Sequence, residues 1–257
     1  MCKRITIITV ARNAEDTIEA AAKSIFTQTG ALEGVEHILV DGGSTDKTVS
    51  MAYKGNPNIC KHISEPDKGI YDGMNKGLAM ATGDIVGFLN ADDLFASNDV
   101  IESIRRCFAA NSSPQVCYSD LQYVLRSDPA KVVRVWTAGA FKPGMFAYGW
   151  VPPHPTVYMR RQFIDSIGKF NLRYNLAADY EMLLRAFEVH KARLCYEPKI
   201  WVKMRLGGAT NKSIRNIISG NAEIAHALRS HGIGWPPWVF FNRMLRRLPQ
   251  FVKASIG

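Results

Sequence analysis

The chain has 257 residues, 47% hydrophobic and 21% charged, with a formal net charge of +9. That balance excludes disordered and fibrous classes, and the length suits one large α/β domain with appendages. No apolar run reaches the roughly 18 residues that cross a bilayer, and Met1-Cys2-Lys3-Arg4 leads straight into strand-like sequence, so a cytoplasmic protein is expected.

Residues 4–11 are β-branched and apolar, and from Asn13 a helical segment places Ile18, Ala21, Ala22 and Ile25 on one face. The β–α rhythm recurs: strand 36–40, helix 46–54, strand 59–63, helix 70–80, strand 84–89, helix 98–109. Repeated alternation predicts a parallel sheet. After 111–114 the pattern shifts to strand-like runs at 115–119, 121–126 and 131–136, so the second half is mixed α+β. The 137–155 loop is rich in Gly, Pro and aromatics, and its length predicts a site lining or a lid. A helix from Asp179 to about His190 turns Leu183, Leu184 and Phe187 inward; strands at 193–196 and 200–205 and a helix at 211–231 follow.

Five cysteines, Cys2, Cys60, Cys107, Cys117 and Cys195, are scattered and never in Cys-x-x-Cys spacing. Reduced structural thiols are expected, not a zinc site or disulfide framework.

The apolar run at 84–89 ends in Asn90-Ala91-Asp92-Asp93. Ligands of open α/β sheets sit at the carboxyl ends of strands, and hard oxygen donors there suit Mg²⁺ or Mn²⁺ with a phosphorylated substrate. On local chemistry alone Asp92 reads equally well as a turn residue or the cap of the next helix.

Segments 7–13, 38–48 (Ile-Leu-Val-Asp-Gly-Gly-Ser-Thr-Asp-Lys-Thr), 64–77 (Ser-Glu-Pro-Asp-Lys-Gly-Ile-Tyr-Asp-Gly-Met-Asn-Lys-Gly), 88–93 and 177–184 together resemble family 2 glycosyltransferases of the GT-A fold. The subgroup they resemble most builds bacterial exopolysaccharide, colanic-acid or amylovoran units, and the match spans residues 4–210. The resemblance implies an α/β fold: a Rossmann-like parallel-core sheet flanked by helices, a mixed acceptor-side half, and a helical C-terminal tail. One domain over 1–232 is expected, with a nucleotide half at 1–110, an acceptor half at 111–210 and a tail at 233–257.

By the same resemblance, Thr9, Ala11 and Arg12 floor the nucleotide pocket, Asp41 accepts hydrogen bonds from the donor base, and Asp67 contacts the nucleotide sugar. Lys68 or Lys76 neutralises diphosphate, although an exposed turn explains both lysines as well. The family's Asp-x-Asp motif reads Asn90-Ala91-Asp92, so Asp92 is the expected ligand of Mg²⁺ or Mn²⁺ with Asp93 beside it. Asp179 matches the acidic base; as a carboxylate at a helix amino terminus it also reads as a plain cap. His154, followed by Pro155 where relatives carry Gln, is expected at the diphosphate, metal or acceptor, or is structural. Gly207-Gly208-Ala209-Thr210 resembles a flexible segment able to close over phosphates.

From Lys203 onward nine basic residues face one acid, Glu223, and residues 234–248 interleave aromatics with arginines. That tail suits an anionic membrane surface, at the inner face of the cell membrane, or packing on its own domain. The implied reaction moves a sugar from a nucleotide-diphosphate sugar (UDP or GDP) to a polyprenyl-diphosphate-linked saccharide with inversion. A sugar nucleotidyltransferase is disfavoured because 11–15 contains no glycine, a catalytically silent scaffold is permitted by Asn90, and no nucleic-acid-binding signature is present.

Overall fold

The computed structural model describes residues 4–29, 34–110, 113–207, 214–234, 239, 241 and 242. Four parallel strands form the first half of the sheet: β1 (Ile5–Ala11), β2 (Val35–Asp41), β3 (Lys61–Ser64) and β4 (Ile85–Phe88), in spatial order β3-β2-β1-β4. Strand residues alternate between faces, and both faces of β1 are buried. Ile8 and Val10 pack with Tyr71, Met74 and Leu78 of α3 (Ile70–Met80), while Ile5 and Ile7 pack with Ile25 of α1 (Ile18–Phe26). Helix α2 (Thr48–Gly55) supplies Ala52 to a third cluster with Ile18 and Leu39. Glycines set how closely α3 lies on the sheet. A Cβ on Gly73 would sit 2.8 Å from Val10 Cγ1, and one on Gly77 would collide with Ile8.

Beyond β4 the sheet turns mixed. β4 pairs antiparallel with β8 (Tyr158–Arg160), β8 antiparallel with β6 (Val116–Val124), and β6 parallel with β9 (Leu194–Arg205). β5 (Asp93–Phe95) lies antiparallel on β9, and β7 (Val132–Trp136) pairs off β6. Two pairs of expected strands are therefore single ones. The runs 115–119 and 121–126 join as β6, and 193–196 and 200–205 join as β9. Their pairing shifts register between Ser119 and Asp120, opposite Pro198, which has no N–H for the ladder, and again between Asp120 and Leu121.

Helices α4 (Val100–Ala109), α5 (Arg161–Ile167), α6 (Ala178–Leu184) and α7 (Ile214–Ser230) complete the described elements. The last turn of α6 continues as a π-helical stretch, Arg185–Val189. β5, β8 and α5 had no counterpart in the sequence reading. The helix expected from Asn13 begins instead at Ile18, because Asn13 adopts φ 48° in a turn and accepts a hydrogen bond from Thr45 N at 2.9 Å.

Residues 208–213, which include most of the Gly-Gly segment, lie outside the described residues, as do 235–238, 240 and 243–257 of the tail. Of the described tail residues, Val239 is buried in the main core cluster and Phe241 is exposed. Among the described residues no helix is long and apolar enough to cross a membrane.

Candidate active site

The loops after β1 and β2 are stitched to each other at the carboxyl edge of the sheet. Asn13 N donates to Ser44 Oγ at 2.8 Å, Ala14 N to Thr48 Oγ1 at 2.7 Å, and Lys47 N to Glu15 Oε2 at 3.0 Å. Asp41, 1% exposed, ends β2 inside this frame. One of its oxygens accepts from Ser44 N at 3.0 Å and Ser64 Oγ at 2.5 Å, and the other from Ser44 Oγ. Ser64 stands opposite Asp41 in the β2–β3 register, a partner that nothing in the chain's local pattern indicates.

Around this frame the remaining nucleotide-side candidates take different positions. Arg12 is exposed and Asp67 half-buried; they flank Gly42, where any Cβ would meet the Asp67 carboxylate and lie 3.5 Å from Arg12 Cδ. Asp67 also accepts from Gly69 N at 3.0 Å, which fixes the turn into α3. Lys68 is exposed. Lys76 differs from the expectation of a free phosphate contact. Its ammonium bonds Glu65 at 2.8 Å and the Pro66 carbonyl at 3.0 Å, so it braces the loop that carries Asp67.

Two side chains expected at the pocket floor face the interior. Thr9 Oγ1 lies 3.0 Å from His37 Nε2. Asn56 donates to Nδ1 of the same ring at 2.9 Å, so the neutral imidazole carries its hydrogen on Nε2. Ala11 and Ala91 pack with Ile18, Leu39, Ala52 and Ile59. For Thr9, Ala11 and Ala91 only the backbone remains to meet a donor.

Asp92 is half-exposed, and no hydrogen bond or ion pair from a described residue reaches its carboxylate; its backbone carbonyl accepts from Arg205 Nη1 at 2.9 Å. It is not a helix cap, since β5 intervenes and α4 starts only at Val100, after Asp99. Asp93 departs from the expected role as a metal ligand. It is 0% exposed at the start of β5, with the Asn90 amide 3.4 Å away and its other oxygen unpartnered. Burial, reinforced by Asp92, raises its carboxyl well above the usual range. Asn90 Oδ1 is buried and has no partner either.

Asp179, in the first turn of α6, does not cap its helix. In the turn that leads into the helix, the amides of Asn175, Leu176 and Ala177 donate to the carboxylate of Glu223 on α7, at 3.1, 2.8 and 2.9 Å. Asp179 is left half-buried, accepting from Tyr71 OH at 2.8 Å. Tyr71 begins a run of rings. It packs on Phe170 (centroids 5.6 Å apart), Phe170 on Phe88 (5.5 Å) and on His154 (5.7 Å), and His154 stacks on Phe88 (5.5 Å). Phe88 is the last residue of β4, four before Asp92. This aromatic floor joins the loop of Asp92 to Asp179, with His154 between them. Burial lowers the pKa of His154, opposed by the charge of Asp179. The 137–155 loop is not an open lid: Phe146 (0% exposed) and Trp150 (4%) are buried beside Phe187, while Tyr148 is exposed.

A divalent cation fits at Asp92 by donor chemistry. An unpaired carboxylate stands two residues from an orphaned amide oxygen, and both are hard donors. Asp92, Asp93 and His154 do not converge as a ligand set. The one place among the described residues where three such side chains meet is Cys107, Cys117 and Cys195, within 4.8 Å of one another, a closeness that their spacing in the sequence does not reveal.

A parallel nucleotide-type half sheet joined to a mixed half, with acids at the carboxyl edge, is the architecture of GT-A glycosyltransferases. The family model for Glycosyl transferase family 2 matches residues 6–157, and the chain belongs to that family. Among curated relatives, the PGL/p-HBAD biosynthesis glycosyltransferase of Mycobacterium bovis (strain BCG / Pasteur 1173P2) is 31% identical over 185 residues, 71% of this chain and 69% of that protein. Among solved structures, S. aureus TarS 1–349 in complex with UDP superposes with TM-score 0.66 at 16% identity, over 93% of this chain and 68% of that one. The mannosyltransferase PcManGT from Pyrobaculum calidifontis, in complex with GDP-Man and Mn²⁺, gives 0.64 at 18% identity, over 100% and 75%. These likenesses show the fold.

Proposed function

We propose that the chain is an inverting, divalent-metal-dependent transferase that moves a sugar from a UDP- or GDP-sugar to a hydroxyl of a lipid-linked saccharide in bacterial exopolysaccharide or other cell-surface polysaccharide assembly. The observation that carries this reading is the placement of Asp179, held by Tyr71 OH, on the aromatic floor leading to Asp92. The structures crystallised with UDP, and with GDP-Man and Mn²⁺, support the donor class, and the resemblance of the motifs supports the acceptor class.

Asp41 and the stitched loops around it hold the donor base, and Arg12, Asp67 and Lys68 line the approach of the ribose and diphosphate. Asp92, with Asn90 Oδ1 nearby, holds Mg²⁺ or Mn²⁺. When bound, that cation stabilises charge developing on the departing diphosphate. Asp179 takes the proton of the acceptor hydroxyl as its oxygen attacks the anomeric carbon, and Tyr71 OH orients the receiving carboxylate. The rings of Phe88, Phe170 and His154 offer an apolar face to a sugar and limit water around it. A single displacement with no protein nucleophile inverts the anomeric centre. The basic aromatic tail holds the enzyme against an anionic membrane surface, where such acceptors reside.

Thermal shift with UDP-sugars and GDP-sugars, each with and without Mn²⁺, tests the donor and metal assignments. Asp92→Asn is expected to lose the metal-dependent part of the stabilisation. Asp179→Asn is expected to keep it while donor turnover falls by about a hundredfold or more. Stabilisation by free nucleosides equal to that by the sugar diphosphates, or full turnover in Asp179→Asn, would overturn the reading.

A further inference from the structure

Three thiols with widely separated sequence positions meet beneath α4. Cys117, 0% exposed, is the second residue of β6 and stands directly opposite Cys195, the second residue of β9. Parallel register puts the two side chains on one face of the sheet, and Cys107, 5% exposed in the last turn of α4, descends onto them. Alternation along β9 turns Glu197 to the same face as Cys195. Its Oε2 lies 3.9 Å from Cys107 Sγ, and Oε1 lies 3.7 Å from Lys199 Nζ.

From this geometry we infer that Cys107, Cys117, Cys195 and Glu197 form a binding site for one soft or borderline divalent cation, Zn²⁺ being the best match. The chemistry is that of a tetrahedral site with three sulfur ligands and one oxygen ligand, all positions filled by protein. Zn–S bonds of about 2.3 Å place tetrahedral sulfurs about 3.8 Å apart. The three Sγ atoms already lie within 4.8 Å of one another, so small side-chain rotations close the site. Cys195 is only partly buried and gives the ion a route in. Each thiol that becomes a ligand releases its proton to solvent, and the carboxylate binds as it is.

The position sets the role. β4 and β6 are both antiparallel to β8, so they run in the same direction, and the amino end of β6 lies at the sheet edge away from Asp41 and Asp92. An ion there clips α4, β6 and β9 together. β9 ends in Arg205, whose guanidinium holds the Asp92 carbonyl, so the clip braces the strand that supports the catalytic loop.

The test is anaerobic titration of the full-length, reduced, metal-free protein with Co²⁺ alone. One equivalent is expected to produce a near-ultraviolet thiolate-to-cobalt band with intense tetrahedral d–d bands, and Zn²⁺ is expected to displace both. Oxygen ligands at Asp92 cannot generate the thiolate band, so the two sites are distinguished without any activity measurement. Cys195→Ser is expected to weaken binding by about tenfold or more, the loss seen even for residues that only support a ligand. Glu197→Gln should weaken it while keeping the thiolate band, and Cys60→Ser, at an exposed thiol elsewhere, should change nothing. The inference is overturned if reduced wild-type protein gives no thiolate band, or if the band persists unchanged in Cys195→Ser.

Discussion

Replacing Glu223 tests the structural basis of the proposed base, because its carboxylate holds the turn that leads into α6 and so sets where Asp179 stands. Glu223→Ala strands three amide donors in the turn before α6, those of Asn175, Leu176 and Ala177. Each bond to a charged acceptor contributes about 1.5–3 kcal/mol where water is excluded, but Asn175 is exposed and water replaces its lost partner. Leu176 is half-buried and Ala177 buried, and a loss of about 1 kcal/mol for each of their hydrogen bonds gives about 2 kcal/mol in all. For a domain of this size that lowers Tm by about 4–8 °C. Glu223→Gln should lose about half as much. Its remaining carbonyl can serve the two donors that now share Oε2, leaving the amide group towards the exposed Asn175. Scanning fluorimetry and denaturant unfolding at neutral pH measure both variants, and donor turnover well below Tm reports whether Asp179 has moved. Glu223→Ala is expected to keep metal-dependent donor stabilisation and lose turnover. If it melts with the wild type, or if Ala and Gln cost the same, this role of Glu223 in holding the turn is wrong.

Asp92→Asn and Asp93→Asn should separate two adjacent acids: the first abolishes Mn²⁺-dependent donor stabilisation, while the second preserves it, because Asp93 is fully buried; equal losses in a thermal-shift titration would restore Asp93 as a ligand. Tyr71→Phe removes the hydroxyl donated to Asp179 and is expected to cost about 1 kcal/mol of stability and to lower kcat with donor affinity unchanged; a purely structural tyrosine would leave kcat alone. Burial lowers the pKa of His37 to about 4, so the unfolded chain binds the proton first and stability is lost as pH falls from about 6.5 towards 4, about 2 kcal/mol of it by pH 5. Urea unfolding across that window should show the loss, and His37→Asn should flatten it. For Glu36, burial would raise the pKa, but hydrogen bonds from Thr6, Thr82 and Lys61 outweigh it and hold the carboxyl at about 2. Its contribution is complete above about pH 4.5 and fades as pH falls through 2, so Glu36→Gln should destabilise at pH 7 and matter little near pH 2.

The legible parts of the chain were those whose physics is local. The helix read at 70–80 spans Ile70–Met80 in the structure, since its apolar spacing and the preceding Gly69 are both near-neighbour signals. β1, β2 and β4 were found because strands covered on both faces read as apolar runs, whereas β3 at the sheet edge is half exposed. What escaped was non-local. β5 and β8 have three residues each, too few for any period, and exist because β9 and β4 supply hydrogen-bond partners. The thiol cluster depends on the register of β6 with β9, which no cysteine spacing encodes. Glu223 was visible as the single acid in a basic segment, but its partners lie across the fold at the start of α6.

Asp92 and Asp93 show where local reading ends. They carry the same functional group, and composition cannot rank them as ligands. Pairing of β5 with β9 begins at Asp93, opposite Met204, and that pairing fixes the side chain within the sheet. Asp92 stands one residue outside the strand and keeps a half-exposed carboxylate. Arg205, next to Met204, then clamps the Asp92 backbone, so the strand that buries one acid also positions the other. Moving that pairing by a single residue would exchange the two environments, because strand side chains alternate between faces. Which of the two acids keeps an accessible carboxylate is thus decided by a strand contact more than a hundred residues away in sequence.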